Sequence, residues 1–197
     1  VPFLVMGYKV PVLNTSEDKD DIYALELLSG LLDGGNSSRF SENLVRGSQI
    51  ATSVSAGYSM YALHDSLFTI SAIPSNGISM DDMEAAIIAQ IKAIQDELPT
   101  EDELARVKAQ VVASSVFEQD SSFYQAMKIG IMETVGLGWQ TKDEYVDRIN
   151  AVTAEQVQQV ARKYFVEDHL TVAELIPQST EVKSAARHVT TGESHAH

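Results

Sequence analysis

The spacing of hydrophobic and polar residues predicts four strands along this chain. Phe3 to Val10 and Leu170 to Ile176 have the composition of strands and lie near its two ends. In the first half, residues alternate with period two from Ile50 to Met60, and a short turn separates this segment from its predicted hairpin partner, Leu67 to Ile73. We expect one face of the first hairpin strand to carry only very small residues, namely Ala51, Ser53, Ser55, Gly57 and Ser59.

Helical periodicity fills the intervals between these strands. Apolar residues recur on one helix face from Ile22 to Leu32, and Gly34-Gly35 supplies the stop. Other helices are predicted around Phe40 and Leu44, along the stripe Met83, Ile87, Ile91, Ile94 and Leu98, and after the capping boxes Thr100/Glu103 and Thr153/Gln156.

This order of elements, with a hairpin between two helical crossovers, predicts an α+β fold. We expect a two-layer α/β sandwich, in which an antiparallel-rich sheet carries its helices on one face. The order of the elements corresponds to the split βαβ or ferredoxin-like topology. We expect residues 1–177 to form one domain. Residues 178–197 carry few large apolar side chains, which predicts a disordered polar tail.

Composition narrows the possible partners. The 197 residues are 44% hydrophobic, enough for one domain with a core, and no apolar run approaches the roughly 20 residues of a membrane span. The net charge of −14 repels phosphate backbones, so we expect no nucleic-acid partner. The absence of cysteine excludes disulfides, thiolate nucleophiles and Cys-ligated zinc, and it fits either the cytoplasm or the periplasm of a bacterium.

No segment of the chain has the pattern of a catalytic or metal site. Neither H-E-x-x-H nor H-x-x-E-H occurs, and no G-x-S-x-G elbow holds a nucleophilic serine. The five histidines are His64, His169, His188, His195 and His197, of which the first two resemble surface residues and the last three belong to the tail. Ser37-Ser38 after Gly34-Gly35 is interpreted as a helix cap rather than a phosphate cradle, because no P-loop lysine follows. We therefore predict no catalytic, cofactor-binding or metal-binding residue in this chain.

Three segments together resemble the second domain of pitrilysin-type zinc metallopeptidases, relatives of the mitochondrial processing peptidase. Residues 31–40, L-L-D-G-G-N-S-S-R-F, are similar to L-L-G-G-G-x-S-S-R-L in that family. Residues 100–108, T-E-D-E-L-A-R-V-K, are similar to its T-x-x-E-L-x-x-x-K helix start. Residues 151–164 resemble its V-T-x-x-D-V…A-x-K-Y helix. The resemblance extends from Val1 to about Pro177.

The resemblance implies a division of labour. In the family the H-x-x-E-H zinc site lies in the first of two homologous domains, so we expect zinc in a missing upstream domain, which the strand at the very start of the chain also suggests. In many relatives the second domain contributes an arginine and a tyrosine that hold the substrate carbonyl over the zinc. A gapless alignment places these on Val45 and Thr52, and Arg46 lies one position away. Val45 and Thr52 cannot donate the required hydrogen bonds, so we expect the chain alone to be inactive.

The expected partners are therefore an upstream catalytic domain of the same protein, a peptide substrate and a homologous partner chain in a heterodimer. We expect function on the sheet face opposite the helices, where an acidic wall would favour basic peptides. Two alternatives remain open. The chain could be an inactive scaffold or assembly subunit of the same family, or a stand-alone module that binds a peptide or another ligand at a free sheet edge.

Overall fold

The computed structural model describes residues 1–178, and four strands form its single sheet. They are β1 (Phe3–Val10), β2 (Ala51–Gly57), β3 (Ser66–Pro74) and β4 (Leu170–Leu175). The order across the sheet is β2-β3-β1-β4, and every neighbouring pair is antiparallel. A hairpin joins β2 to β3, and helical crossovers precede and follow it, which is the predicted split βαβ plan. The predicted fold class is confirmed.

Six α-helices accompany the sheet in the described residues. They are α1 (Lys19–Asp33), α2 (Met80–Asp96), α3 (Glu101–Gln119), α4 (Ser122–Thr134), α5 (Tyr145–Ala151) and α6 (Ala154–Tyr164). Short 3-10 turns span Trp139–Glu144 and Glu167–His169. Both predicted capping boxes are present, at the starts of α3 and α6. No helix in this part of the chain has the length and apolar character needed to cross a membrane.

The core lies between one face of the sheet and the helices. Alternate residues of β1 and β3, such as Met6 and Ile70, are fully buried there. Helix α1 contacts edge strand β2 of this sheet. That helix is buried on most of its circumference, because it contacts the sheet on one side and α3, α5 and α6 on others. Because α1 packs against neighbours on several sides, it carries apolar residues on more than one of its faces.

The predicted alternation of the second strand is wrong at its start. A β-bulge between Ala51 and Ser53 inserts Thr52 as an extra residue. Ala51 is therefore buried on the helix side with Val54, whereas Thr52 is exposed. The strand also ends at Gly57, three residues before the predicted end, because Met60 leaves the ladder and is buried in the core.

The short helix predicted around Phe40 is a π-helix, Phe40–Gly47. Its wider turn is closed by a bond from the Ser48 amide to the Asn43 carbonyl, five residues back. Gly47 is required in this turn, because a Cβ there would lie 2.7 Å from the Glu42 carbonyl oxygen. The predicted disordered tail, apart from Gln178, lies outside the described residues, as do His188, His195 and His197.

Candidate functional site

The free face of the sheet carries mainly short, uncharged side chains. Its strand positions are Phe3, Val5, Gly7 and Lys9 on β1, Leu67, Thr69, Ser71 and Ile73 on β3, Ser53, Ser55 and Gly57 on β2, and Thr171, Ala173 and Leu175 on β4. Larger apolar groups lie at its margins, where Leu67 and Leu175 are 51% and 60% exposed. The one charged residue, Lys9, pairs with Asp65 at 3.4 Å. The predicted acidic wall is therefore wrong, since no carboxylate occupies a described strand position on this face.

Val45 and Thr52, the positions predicted to replace the arginine and tyrosine, lie beside edge strand β2. Val45 is on the π-helix, partly buried and packed against the core. Thr52 is the bulged residue of β2, and its side chain is exposed. Neighbouring Arg46 is held by its own segment, because it donates to the Asn36 carbonyl and pairs with Glu42 at 3.4 Å.

The described residues do not fit a zinc ion. They include two histidines, His64 and His169, and contain no group of three or more His, Cys, Asp or Glu side chains placed to hold a metal. The Nδ1 atom of His169 lies 3.2 Å from the Tyr164 carbonyl oxygen. A structural or catalytic zinc site needs at least three protein ligands around one point, so we derive no step through zinc in this chain.

Two of the three sequence motifs are joined by an ion pair. Arg39 is the N-cap residue of the π-helix and donates from Nε and Nη2 to the two carboxylate oxygens of Glu103, at 2.9 and 3.1 Å. Glu103 also accepts from the Thr100 amide at 2.9 Å, so one carboxylate serves both as the capping box of α3 and as the anchor of Arg39. Asp33, where the family pattern has glycine, accepts at 3.1 Å from the Ala56 amide of edge strand β2.

The third motif is attached to helix α1. The buried carboxylate of Asp21 accepts from the Lys163 ammonium at 2.6 Å and from the Tyr164 hydroxyl at 2.7 Å. The hydrogen bond from Lys163 to Asp21 raises the pKa of the lysine above its usual value. The lysine and tyrosine of the A-x-K-Y pattern thus hold α6 against α1, and their role in this chain is structural.

A second polar site, which the sequence analysis missed, lies on the helical side of the molecule. Glu26 of α1 accepts from the Tyr145 hydroxyl at 3.4 Å and lines a cavity with Tyr58 and Tyr61. Burial raises the pKa of Glu26 to about 7, although the Tyr145 hydrogen bond and the Lys128 charge act in the opposite direction. The available signal was a single carboxylate inside the otherwise apolar run from Ile22 to Leu28.

Comparisons with known proteins agree with this geometry. A family model described as the peptidase M16 inactive domain matches residues 1–111. The uncharacterized zinc protease YmxG of Bacillus subtilis is 26% identical over 148 residues, which are 75% of this chain and 36% of that protein. A protease structure from Helicobacter pylori has a TM-score of 0.80 at 24% identity, covering 89% of this chain and 41% of that one. An inactive peptidase domain from Bordetella parapertussis has a TM-score of 0.81 at 18% identity and covers 94% and 95% of the two chains.

The chain belongs to the peptidase M16 inactive-domain family, as the C-terminal domain type. This confirms the resemblance predicted from the three motifs. The chain spans about two fifths of the length of the Bacillus and Helicobacter proteins. The match therefore identifies a domain, and the name zinc protease is that of the longer Bacillus protein.

Proposed function

We propose that this chain is the substrate-enclosing, non-catalytic domain of a zinc-dependent endopeptidase that acts on peptides. The zinc site, H-x-x-E-H, lies in an upstream domain of the same protein. A homologous partner chain supplies the arginine and tyrosine whose positions here hold Val45 and Thr52. The observation that supports this proposal is the free face of the sheet, which is the broad surface that the helices leave uncovered.

The chemistry of that face suits an extended peptide of varied sequence. Short side chains such as Ser55, Ser71 and Thr171 allow a peptide backbone to approach, and their hydroxyl groups both donate and accept hydrogen bonds. Apolar margins at Leu67 and Leu175 add contact area without selecting charge. We therefore expect the face to enclose substrates without the preference for basic peptides that the net charge suggested.

The test of divided labour is a mixing experiment with the full-length parent protein. We expect the parent alone to cleave a quenched fluorescent peptide very slowly and to gain activity when a homologue bearing the arginine–tyrosine pair is added. The parent variant Val45→Arg/Thr52→Tyr should gain part of this activity without a partner, since the missing donors are restored near β2. Partial burial of Val45 makes a folding check by circular dichroism necessary.

A matched variant makes this test specific. Val45→Arg/Thr52→Phe introduces the same charge and ring but no phenol hydroxyl, so it should gain much less activity than the tyrosine variant. Full activity of the unmodified parent, purified as a single chain, would refute the divided-labour proposal. If no mixture is active and the upstream sequence lacks H-x-x-E-H, the alternative holds: an inactive scaffold subunit, which the replacement of both donor positions favours.

A further inference from the structure

A cleft between helix α1 and the pair α3 and α4 lies apart from the free face of the sheet. Three adjoining cavities of about 260, 440 and 160 Å³ form it, and Glu118 and Lys128 line all three. Glu26 lines two of them. None of the strand positions on the free face contributes to the cleft. Its function is therefore separable from peptide enclosure.

The walls of one of the three cavities are largely aromatic. Tyr58, Tyr61, Tyr124 and Tyr145 line the 260 Å³ cavity, and Met127 lies beside them. The faces of tyrosine rings attract a cation placed within about 6 Å of the ring centre. The chain already shows this preference, because the Lys128 ammonium lies 5.0 Å from the centroid of the Tyr145 ring.

The charges in the cleft do not balance. Lys128 pairs with Glu118 at 3.5 Å, so this lysine already has a carboxylate partner. Glu26 is the second carboxylate, and its hydrogen bond in the described structure is the long one from the Tyr145 hydroxyl, 3.4 Å. Around the 260 Å³ cavity, two carboxylates thus share one ammonium, and a second cation would compensate the charge of Glu26. Removal of Glu26 from water raises its pKa to about 7, and the nearby charge of Glu118 acts in the same direction.

We propose that this cleft binds an organic ammonium or guanidinium group, held between the Glu26 carboxylate and the surrounding tyrosine rings. An anionic ligand is excluded because it would face two carboxylates. Beside the cleft, Tyr124, Met127 and Ile131 expose apolar surface, each between 40% and 48%. Such a rim suits a cation on an apolar stem, as in a lysine or arginine side chain of a polypeptide. A free polyamine also carries cationic groups, but it has no polypeptide backbone to contact the apolar rim, so we expect it to bind more weakly.

The experiment uses the 197-residue chain labelled with ¹³C at the methionine methyl groups. The Met127 resonance reports on the cleft during titration with Nα-acetylarginine amide or with putrescine. We expect a saturable shift of this resonance, and a weaker affinity for putrescine would assign the site to polypeptide side chains. Equal or tighter putrescine binding would support the cation site and assign it to free amines.

Charge-neutral variants separate this site from general attraction to an acidic protein. Glu26→Gln should weaken binding about tenfold or more, because it removes the charge that faces the ligand. Glu155→Gln, an exposed position on α6, makes the same change of net charge and should leave binding unaltered. If Glu26→Gln does not fold, Glu118→Gln lowers the negative charge around the 260 Å³ cavity by the same amount from a half-exposed position. Absence of a saturable shift, or equal binding by the cleft variants and the control, would overturn the proposal.

Discussion

Replacing Glu103 by alanine removes the carboxylate that joins the start of the π-helix to the start of α3. The two bonds from Arg39 are charge-assisted, and the side chains of the pair are only 16% and 26% exposed. Leaving a partly buried guanidinium unpaired costs about 1.5–3 kcal/mol, and loss of the capping contact to Thr100 adds a few tenths. In a domain of this size about 2–3 kcal/mol corresponds to a fall in Tm of about 4–12 °C.

Urea and thermal unfolding followed by circular dichroism at pH 7 would measure this loss. Glu101→Ala is the matched control, because Glu101 is an exposed residue in the same first turn without an ion-pair partner in the described structure, and it should cost less than about 0.5 kcal/mol. A double-mutant cycle with Arg39→Ala should return a coupling free energy of at least about 1 kcal/mol. Additivity errors are usually about 0.5 kcal/mol. A free energy of unfolding for Glu103→Ala within about 0.5 kcal/mol of the parent chain would therefore refute the stabilising role of this ion pair, as would a cycle without coupling.

The same pair predicts a pH dependence. Burial alone would raise the pKa of Glu103, but the hydrogen bonds from Arg39 and Thr100 outweigh it and hold the pKa below the ordinary value of 4.5. Folding therefore stabilises the ionised form, and this contribution is complete above pH 4.5. As the pH falls through the lowered pKa, the contribution is lost. The stability difference between the parent chain and Glu103→Ala should shrink in acid.

Three other changes test the packing and the cleft. Gly30→Ala should cost about 1–3 kcal/mol in urea unfolding, because the new Cβ would lie 2.5 Å from a methyl group of buried Val107, whereas Gly130→Ala, with open space around it, should be neutral or stabilising. Tyr164→Phe removes a hydroxyl donor to a buried carboxylate and should cost about 1 kcal/mol in the same assay. As the pH rises from 4.5 to about 7, the parent chain should lose up to about 3 kcal/mol of stability, because Glu26 ionises less readily in the folded state than in the unfolded state. Glu26→Gln should abolish this loss, since glutamine does not ionise. Parallel pH profiles of the parent and variant would contradict this assignment.

The sequence predicted the elements that depend on local pattern. Strand-like composition and period-two alternation identified all four strands, and Thr100/Glu103 predicted the capping box at the start of α3. The bulge at Thr52 escaped prediction, because alternation with period two cannot register one extra residue that tertiary contacts accommodate. The π-helix was predicted only as a helix, because hydrogen bonds between residues five positions apart change the spacing of apolar residues very little in so short a segment.

Contacts between distant motifs could not be predicted in the same way. Arg39 and Glu103 are 64 positions apart, and Asp21 meets Tyr164 across 143 positions. Local pattern explains why each segment is helical but does not say which side chains meet. The cleft was missed for a related reason. Glu26 follows apolar neighbours on a helix that is buried on several sides, and only the fold brings tyrosines from three other segments around it.

Peptide hydrolysis by separated parts of the protein tests the proposed division of labour between domains. A quenched fluorescent peptide would be incubated with the 197-residue chain, with a zinc-bearing upstream domain, and with both together, each with and without the homologous partner chain. The proposed division of labour predicts no hydrolysis by the chain alone and chelator-sensitive hydrolysis by the combination in the presence of the partner chain. Chelator-sensitive hydrolysis by the highly purified chain alone would contradict it.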